Sequence, residues 1–457
     1  MKITLDAIRG CLEGVIPGTL ATRGADGVPN VAYLSQAQYV DGEHVALSYQ
    51  FFNTTRRNIL AYPYARIALI DPVSAAHYRL ALHYLRTEAD GPLFENMKAR
   101  LAGIASHTGM SDVFRLLGAD IYRVLDIERV PGPTLPPPAP RRNLLAALRA
   151  SAERLCTSAE RFDLDHLLAD TLAGLEANFD IRHAMVLMLD APGARLYTVA
   201  TRGYAESGVG SEIALGDGVI GVAARECTPI RIGHFTAEYA YGRAIRDSLR
   251  QSGLAVATEI PLPGLPESRS QLAVPIRAGG RPLGVLYVES PLDLRFGYDD
   301  EDALVTLAGS LGAAIGQLQQ LAEAGEGGER VPPPARPAPS APPASPAAGK
   351  PLTIRHYGEN DSVFLDGDYL IKGVAGSIFW TLVRDYVDKG QDSFSNRELR
   401  LDPRIRLPDL SDNLEARLIL LARRLVERGA GLRVEKTGRG RFHLHVARPL
   451  ELVDIAP

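Results

Sequence analysis

Two proline-rich stretches constrain this chain more than any other feature, because a backbone poor in N–H donors cannot keep a hydrogen-bonded ladder and so cannot run through a domain interior. The first, Val130 to Arg142 (VPGPTLPPPAPRR), reads as a short, stiff spacer. The second, Ala324 to Pro351, mixes Pro, Ala, Gly and Ser with almost nothing to bury and reads as an extended linker. A chain of 457 residues accommodates about three domains. The breaks leave three blocks, at 1–130, 143–323 and 352–450, with the spacer at 131–142 and the linker at 324–351.

Charge must be read block by block. The 50 basic residues against 54 acidic ones leave a formal charge of −4, which denies the chain a global attraction for nucleic acid. Cys11, Cys156 and Cys227 lie far apart and form no Cys or Cys/His pattern of metal-site spacing, so no metal is expected and a reducing compartment fits. The N-terminus carries acidic residues where an export signal needs a basic head, and no run approaches the roughly 18 apolar residues of a membrane span. The expectation is a soluble, cytoplasmic protein.

In the first block, Leu5, Ile8 and Leu12 mark one side of a short helix, followed by strand patterns in GTLATRG, VAYLSQAQYV and EHVALSYQ. Ala25-Asp26-Gly27 and Asp41-Gly42 are hairpin turns that offer positive φ angles. The run Phe51 to Leu60 then places Asn53 or Thr54 as a cap and Arg56 and Arg57 in the first turn of a helix. Hydroxyls, free amides and two guanidinium groups at one helix start suit a phosphate, each charge-assisted hydrogen bond contributing about 1.5–3 kcal/mol; a solvated face on an ordinary helix is the alternative.

The run GTLATRGADGVPNVAYLSQAQYVDGEHVALSYQFFNTTRRNILAYPYARIALID resembles the FMN-binding split barrels of the pyridoxamine 5′-phosphate oxidase family. The resemblance implies FMN, with Asn53, Thr55, Arg56 and Arg57 on its phosphate and Arg86 as a further candidate. The closing Arg-x-Pro-x-Trp-like segment of the true oxidases is missing, and the single tryptophan is the distant Trp380. Some split barrels of this superfamily bind haem, for which His77, His83 and His107 are available.

The second block alternates strand and helix and reads as an α/β sandwich with helices on one face, ending in a long helix opened by acidic residues. Gly218-Val219-Ile220-Gly221, Ser270 to Ile276, Gly284 to Glu289 and Phe296 to Asp302 together resemble a GAF domain. This resemblance implies a small ligand between sheet and helices, or a dimerising transmitter. The Asn-Lys-x-Phe-Asp-Glu run of its cyclic-nucleotide subset is not found, and the ligand is not readable. Cys227 and His234 sit where pocket residues could occur, although a structural role is the simpler reading.

The third block opens with two short strands around Asp366-Gly367, then a helix whose Ile378, Phe379, Leu382, Val383 and Tyr386 face a core. Ser395 or Asn396 caps a second helix with Glu398 near the capping-box position, and SDNLEARLILLARRLVERG is a third, before a hairpin tipped by Thr437 to Arg441. Residues 362–447 resemble the winged-helix effector domain of response-regulator transcription factors. After Ala416, nine basic residues stand against four acidic, a local surplus of five suited to DNA phosphates. The resemblance places Asn413, Arg417, Arg423 and Arg424 on the groove-reading helix and Arg439 and Arg441 on the wing. Leu414, Leu418, Leu421 and Leu425 make one apolar seam, yet Ile419 and Leu420 lie roughly opposite, where a groove-reading face would be polar. A packing partner on that side, with the arginines merely solvating, is the alternative.

The chain as a whole therefore reads as multidomain α+β: a split β-barrel, a GAF sandwich and a winged helix-turn-helix. The function expected is a one-component transcriptional regulator acting as a homodimer, with no catalytic residues assigned. An FMN-dependent oxidoreductase with regulatory domains, or a signalling adaptor that does not bind DNA, are the alternatives.

Overall fold

The structure, a computed structural model, describes residues 3–12, 16–34, 36–50, 53–107, 115–136, 143–159, 163–190, 194–233, 260–328, 350–405, 407, 414–438 and 440–455, with only the backbone of 53, 102–107, 158–159 and 322–328. Residues 191–193, His234, Asn413, Arg439, residues 137–142 of the spacer and most of the linker lie outside the described residues.

In the first block a 3-10 helix, Asp6–Leu12, follows Leu5, and Leu5, Ile8 and Leu12 are buried in the apolar cluster of a curled sheet. The strands are β1 (Gly18–Arg23), β2 (Pro29–Leu34), β3 (Ala37–Tyr39), β4 (His44–Tyr49), β5 (Tyr64–Ile70), β6 (His77–Glu88) and β7 (Gly118–Val130). They pair antiparallel in the order β2-β1-β5-β6-β7-β4-β3. Alternation does the sorting: in β5, Ala65, Ile67 and Leu69 point inward while Tyr64, Arg66 and Ala68 are exposed. Gly27 takes φ +81° at the first hairpin, as expected. The Asp41-Gly42 turn works differently. Gly42 stays out of the left-handed region, and the Asp41 carboxylate shapes the turn by accepting from the Glu43 and His44 N–H groups. Two helices complete the block, α1 (Asn53–Ala61) and α2 (Gly91–His107).

The second block contains α3 (Leu144–Ala159), α4 (Leu164–Phe179), β8 (His183–Asp190), β9 (Arg195–Arg202), β10 (Glu212–Ala214), α5 (Gly218–Glu226), β11 (Ile230–Ile232), β12 (Ser270–Ala278), β13 (Arg281–Ser290) and α6 (Tyr298–Gly328). Its sheet order is β10-β9-β8-β13-β12-β11. The expectation of helices on one face is corrected: the sheet is covered on both. Ala184, Val186 and Met188 of β8 pack toward α3, α4 and α6, while Met185 and Leu187 pack toward α5. A strand buried on both faces needs an unbroken apolar run, which AMVLMLD supplies. Helix α6 lies so close to β12 that a Cβ at Gly312 would sit 2.0 Å from the Arg277 carbonyl oxygen.

The third block has β14 (Leu352–Tyr357), β15 (Ser362–Leu365), β16 (Asp368–Ile371), α7 (Gly373–Lys389), β17 (Ser393–Ser395), α8 (Asn396–Leu401), α9 (Leu414–Arg428), β18 (Leu432–Gly438), β19 (Arg441–Val446) and β20 (Leu450–Ile455). Ser395 and Glu398 form the reciprocal capping box that starts α8. Strand β20, beyond the last expected element, returns to pair in parallel with β14 in a sheet ordered β16-β15-β14-β20; β17-β19-β18 make a second sheet. One apolar cluster runs without interruption from the α4 side of the GAF-like sheet into α7 and α9.

Candidate functional site

The start of α1 separates the two guanidinium groups expected to act together. Arg56 turns inward, donating to the Asp120 carboxylate (2.8 Å) and the Thr87 hydroxyl (2.7 Å), with the Tyr49 and Tyr84 rings about its plane. Burial pushes the Asp120 carboxyl above its ordinary value, a push that Thr87 and Arg56 offset in part. Arg57 is exposed. Thr55 is buried and accepts from the Asn30 amide, Arg86 is exposed and bonded to Glu88, and Asn53 opens the helix. Thr55, Arg56 and Arg57 thus share the corner at the start of α1 by sequence but not by partner, Thr55 meeting Asn30, Arg56 meeting Asp120 and Arg57 solvent, while Arg86 is on a local ion pair.

Next to that corner lies a cluster that spacing did not disclose. Ser48 and Gln50 alternate to the face of β4 away from the barrel core, and Gln36 and Gln38 line the neighbouring strand. Ala46, paired with Gln38, packs on Phe94 and Met97, so α2 covers this face. Gln36 Oε1, Ser48 Oγ and both amide atoms of Gln50 are buried with no hydrogen-bond partner among the described residues. An unpaired buried polar group costs about 1–3 kcal/mol, so such a row calls for an explanation. Gln38 Oε1 is likewise buried without a partner among the described residues, while its amide N–H donates to Asn96 of α2, which donates to Thr228 beyond α5. The only sequence clue was the polar alternation in LSQAQ and SYQ on strands otherwise apolar.

The first two blocks are joined through charge. Glu301, at the start of α6, accepts from Arg100 of α2 (2.9 Å) and Arg231 of β11 (2.8 Å), all three being buried. Burial works against the charge on Glu301, yet Arg100 and Arg231 hold its carboxyl below the ordinary value. Arg9 stacks on Tyr298, whose hydroxyl donates to the Leu12 carbonyl. Cys227 ends α5 in a left-handed conformation, a capping role.

Helix α9, the expected groove-reading helix, lies against the second block. Arg417, 5% exposed, bonds Asp190 at the end of β8 (3.1 Å). Arg423 bonds Asp165 of α4 (2.6 Å) and the Val199 carbonyl of β9 (2.6 Å). Arg424 donates to the Leu370 carbonyl and to Glu427. The apolar pair that looked out of place, Ile419 and Leu420, is buried in this contact, Leu420 close to Gly210. Arg441 is exposed on β19. Beside the contact, a cleft of about 650 Å³ opens between α9, the β18–β19 hairpin and the α4 end of the second block, lined by Val209, Leu418, Ile419, Val426, Val434 and Phe442.

With this geometry established, comparison with known proteins defines the middle block: residues 163–315 match the GAF domain family, and the chain carries a GAF domain there. No curated protein matches the sequence. Among solved structures, the N-terminal region is similar to an FMN-binding protein from Syntrophomonas wolfei subsp. wolfei, at 16% identity over 28% of this chain and 86% of that one, with a TM-score of 0.25. HupZ from Group A Streptococcus matches at 20% identity over 28% of this chain and 95% of that one, with a TM-score of 0.23. The GAF domain of a phosphoenolpyruvate-protein phosphotransferase from Coxiella burnetii matches at 21% identity, covering 40% and 97%, with a TM-score of 0.32. No helix among the described residues is long and apolar enough to cross a membrane, and no cluster of three or more His, Cys, Asp or Glu side chains forms a metal site there.

Proposed function

We propose that this chain is a sensor-regulator: the N-terminal barrel takes a flavin-type cofactor, FMN, the GAF domain takes a small ligand, and the C-terminal block acts on DNA as a winged helix. The observation that carries the reading is continuity. Arg100 of α2 and Arg231 of the GAF domain share Glu301, and Arg417 and Arg423 of α9 hold Asp190 and Asp165 of the same domain. A change in the GAF domain is thus one ion pair away from the helix that carries the output charges, and a change in the barrel reaches that helix through the GAF domain.

The unpaired polar row supports the cofactor. Gln36, Ser48 and Gln50 offer both donors and acceptors in a dry setting, the chemistry that matches the carbonyl and N–H edge of a flavin ring, while Asn53, Thr55 and Arg57 at the start of α1, with Arg56 once Asp120 releases it, suit its phosphate. When bound, FMN would supply one- or two-electron chemistry; the chain's own residues would orient it and set its hydrogen bonds. The exposed Val31 and Tyr33 of edge strand β2, with Tyr64 of β5 on the same sheet face, favour a second copy of the barrel as homodimer partner.

The visible spectrum of the purified protein, read with and without added FMN, tests the sensing half: flavin bands or saturable FMN binding support it, a Soret band replaces flavin with haem, and a colourless protein that ignores FMN overturns it. Fluorescence anisotropy on a labelled duplex across a salt series tests the output half, with a log–log slope of about −0.9 per phosphate neutralised expected. Absence of salt-sensitive binding overturns it in favour of a signalling adaptor.

A further inference from the structure

The contact between α9 and the GAF domain has a consistent polarity. Among the described residues, the cross-domain ion pairs take their acid from the GAF side and their base from the C-terminal block: Asp190 with Arg417, Asp165 with Arg423, Asp163 with Lys436, and Glu212 with Lys372. Burial works against the Lys436 ammonium, yet Glu415 and Asp163 hold its affinity for a proton above the ordinary value. The same helix carries the residues assigned to DNA, and the side of it that a groove would meet is occupied. Ile419 and Leu420, which no polar groove would accommodate, are buried instead with Val199 and Val209 of the GAF domain in one apolar cluster. The seam is incompletely filled, because the 650 Å³ cleft runs beside it, so opening it forfeits less packing than opening a closed core.

We infer that the acidic edge formed by Asp165, Asp190 and Glu212 is an intramolecular substitute for the DNA backbone: α9 engages the GAF domain or a duplex, never both, and the arrangement described here is the closed, non-binding state. This rests on the DNA reading of the C-terminal block and adds its regulation. Closure lowers the apparent affinity for DNA by the ratio of closed to open molecules, and whatever weakens the GAF side of the seam returns that factor. The cleft makes the seam open to control, since a ligand seated there touches α4, β9 and α9 at once.

The test uses the full chain and a fluorescein-labelled duplex of about 30 base pairs of mixed sequence at two salt concentrations. D165N/D190N removes the two carboxylates that hold Arg417 and Arg423 without altering shape. E153Q/E176Q makes the same change of charge on exposed acids away from the seam. D165N alone, at a half-exposed position, guards against misfolding of the double variant. The expected result is binding about tenfold or more tighter for D165N/D190N, a smaller gain for D165N, none for E153Q/E176Q, and loss of the gain when R417A/R423A is added. Equal, arginine-dependent binding by the wild type and D165N/D190N overturns the closed state while leaving the DNA reading intact. A gain shared by E153Q/E176Q, or one that survives R417A/R423A, overturns it as simple charge. No binding by any variant overturns the DNA reading and the closed state together.

Discussion

Replacing Glu301 with glutamine is the sharpest perturbation of the joint between barrel and GAF domain. The substitution keeps the shape of the side chain and removes its charge, leaving Arg100 and Arg231 buried without the carboxylate that both approach within 3 Å. Removing one partner from a buried ion pair costs about 3–5 kcal/mol, because the remaining charge stays desolvated. With a urea m-value of about 1–3 kcal/mol/M, the unfolding midpoint of the joined barrel and GAF unit should fall by about 1 M or more, read by far-UV circular dichroism. Arg100→Met is the informative comparison. It leaves Glu301 still bonded to Arg231, so its cost should be about 1.5–3 kcal/mol, that of a hydrogen bond to a charged group, and smaller than that of E301Q. The reasoning fails if E301Q leaves the midpoint within experimental error of the wild type, or if R100M destabilises more than E301Q. The pH dependence adds a check with a fixed sign. The carboxyl is held below its ordinary value, so its contribution is complete above that value and is lost as pH falls through the lowered one; E301Q should flatten this acid limb.

Three further outcomes follow from the same geometry. Asp120→Asn removes the carboxylate that holds Arg56, so FMN, followed by quenching of flavin fluorescence, should bind about tenfold tighter; unchanged or weaker binding excludes Arg56 from the phosphate site. Gln50→Leu should stabilise the cofactor-free protein by about 1 kcal/mol, by deleting a buried amide with no partner, while weakening FMN binding; destabilisation would show that Gln50 is structurally satisfied. Asp385 is held at about 2, first by its two bonds from Arg404 and then by Lys389. Its stabilisation of the C-terminal block should be present above about pH 4 and disappear toward about pH 2, about 1–2 kcal/mol after allowance for the exposed edge of Arg404, and be absent in D385N. The fluorescence of Trp380, buried in that block and the only tryptophan, reports it directly.

What the sequence determined by itself was whatever depends on neighbours a few residues away. The Ser395–Glu398 capping box, the Gly27 turn, the alternating burial of β5 and the acidic start of α6 all follow from local hydrogen bonding and side-chain periodicity, and each is legible in the order of residues alone. Phrases such as Gly218 to Gly221 and Ser270 to Ile276 were sufficient to place the GAF domain. Tertiary structure decided where the charges went. Arg56 and Arg57 are adjacent in sequence, yet one faces Asp120 and the other faces solvent, because successive side chains on a helix point about 100° apart and only one direction meets the barrel. Arg417 and Arg423 look like DNA ligands in isolation, while their partners Asp190 and Asp165 lie 227 and 258 residues away. Strand β20 finds β14 across 98 residues, and α2 of the barrel packs on α5 and β11 of the GAF domain. A charge or an apolar stripe specifies that it must be covered; which surface covers it depends on how whole domains pack, and no local propensity encodes that.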